Sequence, residues 1–181
     1  NRWEEFQICA GAILTQNTAW NNAAKALENL AAAEILTAEK IVNTDESTVR
    51  TLIKPSGYYN IKSRKLKVFS DFYLALAGNV PTRKQLLDTW GIGPETADSI
   101  RLYAYNRPEM VVDAYTRRML AFLGLVSSEI SYDGLKDYCR NNLPVDTCLY
   151  QEFHALIVAH GKRYYTGTEY DEPLLCGQNI P

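Results

Sequence analysis

Apolar residues recur at helical spacing along almost the whole chain. The first stripe has the i, i+3, i+4, i+7, i+8 pattern that gives a helix one apolar face, and it consists of Phe6, Cys9, Ala10, Ile13 and Leu14. The same spacing predicts further helices at residues 49–53, at 66–76 and at 149–157. The first of these should end near 55–57, and the last should end in a cationic turn with a glycine cap at 160–162. Apart from one central valine pair, alternating or β-branched strand patterns are missing. The sequence therefore predicts an all-α fold.

Composition excludes several classes of protein. The 181 residues suffice for one domain or for two small lobes, and no apolar run is long enough to cross a membrane. The N-terminus has neither a signal peptide nor a transit segment, and the four cysteines form no CxxC pair, so we expect a reducing, cytoplasmic location, nucleoid-associated in a prokaryote. The net charge is −2, so a nucleic-acid partner would require basic residues gathered on one face. Two histidines leave little material for histidine-based acid–base chemistry or a multi-histidine metal centre.

A glycine hairpin is the most informative local segment. Gly91 and Gly93 bracket Ile92 between two helical stretches, and Pro94 suits the first position of a new helix. Free backbone N–H groups at such a turn can bind phosphate without a positive side chain. We expect Ile92 to plug the turn into the core and Trp90 to anchor it.

The hairpin sequence has two other possible interpretations. A dinucleotide fingerprint is rejected, because Thr96 occupies its sixth position and no strand precedes it. A plain helix–turn–helix connection, with glycine used only for geometry, stays open.

An aspartate follows two apolar valines downstream of the hairpin. Asp113 stands where a new helix begins, so it is expected to cap that helix. The alternative is a carboxylate that faces a developing sugar cation at a glycosidic carbon. Both can hold together, because capping fixes the orientation of the carboxylate.

Four blocks in order carry a resemblance to a known family. They occupy residues 15–18, 55–62, 91–98 and 111–113. Together they resemble the helix-hairpin-helix (HhH-GPD) DNA glycosylases of the endonuclease III superfamily, and within it the bacterial 3-methyladenine DNA glycosylases of endonuclease III type. The resemblance runs from about Phe6 to Lys162.

The resemblance implies a two-lobed fold with a DNA cleft between the lobes. A six-helix barrel would cover residues 1–107, with the helix-hairpin-helix at about 83–105. A second helical lobe would cover 108–181 and end in an irregular tail. The family's N-terminal helix is expected to be missing from this chain. The expected partner is double-stranded DNA with damaged bases, and the expected state is a monomer.

The resemblance also implies a mechanism. Asp113 falls on the family's catalytic aspartate, which stabilises an oxocarbenium-like transition state at C1′. Bifunctional relatives carry a lysine where this chain has Glu95, so we expect a monofunctional enzyme that excises an alkylated, 3-methyladenine-like base without cutting the strand. The alternatives are a mismatch-type uracil or thymine glycosylase, and a non-catalytic DNA-binding module.

Cofactor expectations follow from a departure from the family pattern. Many relatives carry an iron–sulfur cluster just past the His-Gly pair, but here Tyr165 stands at the first ligand position and only Cys176 follows. One cysteine cannot supply four thiolates, so no cluster and no other metal are expected. A monovalent cation at the hairpin is compatible with the sequence.

The remaining site predictions concern DNA contact. The resemblance implies that Gln16 is the wedge, assisted by Asn17, and that Trp20, Tyr59 and Asn17 form the base pocket. The structural alternatives are that Gln16 and Asn17 cap the end of a helix and that the aromatic residues belong to the core. Backbone contacts are expected from the hairpin residues Gly91, Ile92, Gly93, Glu95 and Thr96, and phosphate contacts from Lys62, Arg64 and Lys65, although basic runs are often merely solvated.

Overall fold

A computed structural model describes residues 4–165 and 167 of the chain. The chain divides into two compact units, Asn1–Asn106 and Arg107–Pro181. The described residues are almost entirely helices and the turns between them, so the all-α prediction is confirmed. None of the described helices combines the length and hydropathy that a membrane span requires.

The first unit is built around one central helix. Its elements are α1 (Glu5–Leu14), α2 (Trp20–Ala32), α3 (Ala38–Asn43), α4 (Glu46–Leu52), a 3₁₀ turn (Lys54–Ser56), α5 (Tyr59–Ala75), α6 (Arg83–Asp88) and α7 (Pro94–Ser99), which continues as a π-helical turn (Ile100–Ala104). Helix α1 buries most of its residues, because it is apolar nearly all round and packs against α2, α5, α7 and the π turn. The predicted helices at 49–53 and 66–76 are confirmed as α4 and α5.

The second unit contains α8 (Ala114–Phe122), α9 (Tyr132–Asn142) and α10 (Thr147–Tyr164). A buried ion pair between Lys136 Nζ on α9 and Glu109 Oε1, 2.6 Å apart, fixes the segment that leads into α8. The predicted tail at 169–181 lies outside the described residues.

The predicted end of the last helix is wrong. Helix α10 continues through Gly161 to Tyr164, so the glycine is not a cap. The ring of Tyr115 occupies the space where a Cβ on Gly161 would stand, and close packing of α8 on α10 therefore requires glycine. The apolar stripe predicted on this helix, Leu149, Phe153, Leu156 and Ile157, is right only in part. Ile157 is buried as predicted, whereas Leu156 is exposed and the buried Tyr150 was not among the predicted residues.

Candidate functional site

The glycine hairpin has the predicted shape. Gly91 adopts a φ of +89°, Ile92 is buried in the core, and Gly93 is the extended N-cap residue of α7 with Pro94 behind it. A Cβ on Gly93 would meet no atom within 4 Å, so this backbone is open to an approaching ligand.

Trp90 does not anchor the hairpin. About half of its surface is exposed, and the guanidinium of Arg64, on α5, lies 5.1 Å from the ring centroid. Of Trp90 and Ile92, only Ile92 is buried and anchors the turn. The Arg64–Trp90 stack therefore places a cation and an aromatic face at the surface beside the turn.

Gln16 ties the loop after α1 to the hairpin. Its Nε2 donates to the Gly91 carbonyl at 3.1 Å and to Thr96 Oγ1 at 3.0 Å, and its Oε1 accepts from Lys65 Nζ at 2.5 Å. Four predicted site residues are thus brought together in one hydrogen-bonded cluster, which we call the hairpin latch: Gln16, Lys65, Gly91 and Thr96.

Lys65 also explains why position 91 is glycine. A Cβ on Gly91 would stand 2.6 Å from Lys65 Cγ and 2.9 Å from Cδ, well inside contact distance. Partial burial lowers the pKa of Lys65 below its usual value. The aliphatic stem of this lysine therefore packs on the turn while its ammonium holds Gln16.

The prediction that Lys62 contacts phosphate is wrong. Lys62 is 1% exposed, and its Nζ donates to Leu14 O at 2.8 Å and to Ser56 O at 2.7 Å. These carbonyls end α1 and the 3₁₀ turn, so the ammonium satisfies two helix C-termini. Burial, and then the charge of Lys65, lower the pKa of Lys62 to about 8.

The remaining residues of the first unit differ in their exposure. Asn17 is exposed, with a φ of +52°. Trp20 is the first residue of α2 and is 49% exposed. The buried edge of its ring packs beside Gly11, where Cη2 and Cζ3 would lie 3.5 Å from an added Cβ. Tyr59 is half-buried against the core, and Glu95 is exposed in the first turn of α7. Trp20 and Asn17 therefore offer free surface, and Tyr59 offers less.

Asp113 caps α8, as predicted. Its Oδ1 accepts from Thr116 N at 2.8 Å and from Thr116 Oγ1 at 2.9 Å, while the Asp113 N–H donates back to Thr116 Oγ1. The preceding residues Met110, Val111 and Val112 are buried and hold the backbone. One carboxylate oxygen is therefore fully used by the cap, and the side chain remains 12% exposed.

His154 was missed by the sequence analysis. Its Nε2 lies 3.8 Å from Asp113 Oδ2, within ion-pair range but longer than a hydrogen bond. Burial lowers the pKa of His154 below 6.5, and the Asp113 charge opposes that shift. The signal was available, because Tyr150, His154, Ile157 and Gly161 share one face of α10 at spacings of four, three and four.

The expected absence of an iron–sulfur cluster stays a prediction. Cys9 is buried in the core of the first unit and Cys139 in the second, whereas Cys176 lies outside the described residues. Within residues 4–165 and 167, no three His, Cys, Asp or Glu side chains are placed to hold a metal ion together. The monovalent cation at the hairpin stays a prediction, and the Gly91 carbonyl there already accepts from Gln16.

Comparison with known sequences places the chain in a family. Residues 10–144 match the HhH-GPD superfamily base excision DNA repair proteins. A candidate DNA repair glycosylase of Methanocaldococcus jannaschii is 42% identical over 170 residues, covering 88% of this chain and 77% of that protein. The chain belongs to the HhH-GPD superfamily of base excision DNA repair proteins.

Solved structures confirm the endonuclease III-like fold. The H. pylori 3-methyladenine DNA glycosylase, solved with 1,N6-ethenoadenine, matches with a TM-score of 0.79 and 33% identity over 87% of this chain and 85% of its own. An endonuclease III in a non-covalent DNA complex matches with a TM-score of 0.85 and 18% identity over 97% and 83%. The second likeness shows the fold alone.

Proposed function

We propose that this protein is a monofunctional DNA glycosylase that hydrolyses the N-glycosidic bond of a flipped, alkylated, 3-methyladenine-like base. The observation that carries the proposal is the arrangement of the two carboxylate oxygens of Asp113. The cap fixes one of its oxygens, which leaves Oδ2 as the oxygen available to a reacting sugar. The 33% identical H. pylori 3-methyladenine glycosylase supports the choice of base.

The chemistry needs few groups. The C1′–N bond breaks, the base leaves with the bonding pair, and the sugar develops positive charge that the Asp113 carboxylate stabilises. A water oxygen then bonds to C1′ and loses its proton to the carboxylate or to solvent. A cationic alkylated base is already a good leaving group, so the reaction does not depend on a strong general acid.

Strand cleavage is not expected. A lysine that attacks C1′ would form a Schiff base, but the corresponding residue is Glu95. The nearby amine of Lys62 is buried and occupied by two carbonyls, so it is a poor substitute. We therefore propose an enzyme that leaves an intact abasic strand.

DNA contact is assigned to the hairpin and its surroundings. The open backbone at Gly93 is suited to a phosphate, and Arg64 with its Trp90 stack adds exposed positive charge beside it. Each phosphate contact that is lost should reduce the salt slope of binding by about 0.9. Replacing Arg64 by Gln should thus flatten that slope, whereas Lys62 should make no direct contribution.

Duplex opening is assigned to Gln16 and Asn17, in the turn after α1. Gln16 can fill the space of a flipped base only after it gives up the three hydrogen bonds of the hairpin latch. Asn17 is already exposed, and Trp20 presents half of its surface for stacking on an electron-poor base. Tyr59 completes the proposed pocket from the start of α5.

The substrate proposal is tested with duplexes that each carry one lesion. Single-turnover release is measured for 3-methyladenine, 7-methylguanine, 1,N6-ethenoadenine, and uracil or thymine opposite guanine. Strands are analysed with and without hot alkali. We expect release of methylated purine, with strand breaks only after alkali.

Each other outcome contradicts a different part of the proposal. Release of uracil or thymine alone would assign the protein to the mismatch branch. Strand breaks without alkali, together with a borohydride-trapped adduct, would refute the monofunctional mechanism. Binding without any release would favour a non-catalytic DNA-binding module.

A further inference from the structure

We propose that His154 is a positioning residue for Asp113. The His154 ring restrains the second carboxylate oxygen, and its charge sets the acidic limb of the pH–rate profile of excision. This inference rests on the proposed function of Asp113. The sequence places His154 on the inner face of α10, and the packing of α10 against α8 brings it to the carboxylate.

The two oxygens of Asp113 have different partners. Oδ1 is fixed by two donors from Thr116, whereas Oδ2 faces His154 Nε2 at 3.8 Å. Both side chains are largely buried, with 19% of His154 and 12% of Asp113 exposed. A capped carboxylate could still tilt about its Oδ1 contacts, and the imidazole is the group placed to limit that tilt.

The charge state of His154 decides whether it helps or hinders. Burial lowers the pKa of His154, and Asp113 raises it by a smaller effect, so the ring is neutral near pH 7. A neutral ring leaves the full negative charge of Asp113 for the sugar cation. A protonated ring would neutralise that charge and repel the cation, so the rate should fall as the ring gains a proton.

Among the described residues that pack on α10, Asp113 is the charged group that shifts the pKa of His154, against the larger effect of burial. The other cations of α8 are engaged or face solvent: the Arg118 guanidinium stacks over Tyr115 at 5.7 Å and over Tyr165 at 4.5 Å, and Arg117 is exposed. The electrostatic effect on His154 comes from Asp113.

The first test is a titration that does not depend on activity. The chain has two histidines, His154 and His160, both on α10, so the ring signals can be assigned by NMR with one substitution each. We expect His154 to titrate below its ordinary value, and lower still in Asp113→Asn, where the attraction of the carboxylate is lost. An unchanged His154 titration in that variant would overturn the inference.

The second test is the pH profile of single-turnover excision. His154→Leu removes the ring and should lower the rate at pH 7.5 about tenfold with unchanged DNA affinity. His154→Gln retains an N–H near the same place but cannot titrate, so it should lose less rate and shift the acidic limb to lower pH. His160→Gln is the matched control on the same helix and should behave as wild type.

Failure of the inference and failure of the proposed function look different. If Asp113→Asn abolishes excision while both His154 variants keep the wild-type rate and acidic limb, the positioning role is refuted and the catalytic role of Asp113 stands. If Asp113→Asn retains full activity, the proposed function fails, and the positioning role fails with it.

Discussion

Replacing Gly91 by alanine should destabilise the first unit for two reasons. The φ of +89° is costly for a residue with a Cβ, by about 1–2 kcal/mol. The new Cβ would also stand 2.6 Å from Lys65 Cγ, so the lysine must move away. Movement of Lys65 breaks its hydrogen bond to Gln16 Oε1, a charged interaction worth about 1.5–3 kcal/mol.

The expected net loss is about 3 kcal/mol, after a small gain from the less flexible unfolded chain. For a chain of this size the melting temperature should fall by about 6–12 °C. Gly93→Ala is the matched control, two residues away in the same turn. Its backbone is extended and its Cβ would meet no atom within 4 Å, so its stability should equal or slightly exceed that of wild type.

Urea unfolding followed by circular dichroism measures both variants, and salt-dependent DNA binding separates fold from contact. Gly93→Ala should fold normally yet bind DNA more weakly, because the methyl group covers the proposed phosphate site. Equal unfolding midpoints for the two variants would refute both the backbone cost and the Lys65 contact assigned to position 91. Normal DNA affinity in Gly93→Ala would refute the phosphate assignment.

Three further predictions concern the second unit. The pKa of His154 in the folded chain lies below 6.5, so as pH falls the unfolded chain binds this proton first. The free energy of unfolding should therefore decrease below pH 6.5. His154→Gln should reduce that decrease, as measured by urea unfolding at several pH values. Lys136→Met removes the ammonium that lies 2.6 Å from Glu109 Oε1 and should cost about 3 kcal/mol, much of which Glu109→Gln should restore in the double variant. Gly161→Ala forces a Cβ into the ring of Tyr115 and should cost about 1–3 kcal/mol by thermal unfolding, and less in a Tyr115→Ala background.

The sequence predicts local features of this fold well. The stripe that begins at Phe6 identifies α1, because its period is set by residues within two turns of each other. Gly91, Ile92 and Gly93 identify the hairpin, because a left-handed turn and a buried plug impose specific residue types. Asp113 identifies the start of α8, because an N-cap position favours a side chain that accepts a hydrogen bond from the first turn.

The sequence predicts partners less well when they lie far along the chain. Lys62 looks like a surface base, yet its ammonium meets the carbonyl of Leu14, 48 residues earlier. Its place on the stripe with Leu66 and Phe69 was the available sign of burial. Gln16 reaches Thr96 across 80 residues, and no local pattern predicts such a contact.

The role of Asp113 is tested most directly by the single-turnover rate of Asp113→Asn on a duplex with one 3-methyladenine. Asparagine keeps an oxygen for the cap bonds from Thr116 and is as good an N-cap, so the fold should be unchanged while the negative charge is lost. The account predicts a rate at least about 100-fold below wild type, with DNA affinity retained. A rate within a few-fold of wild type would contradict it.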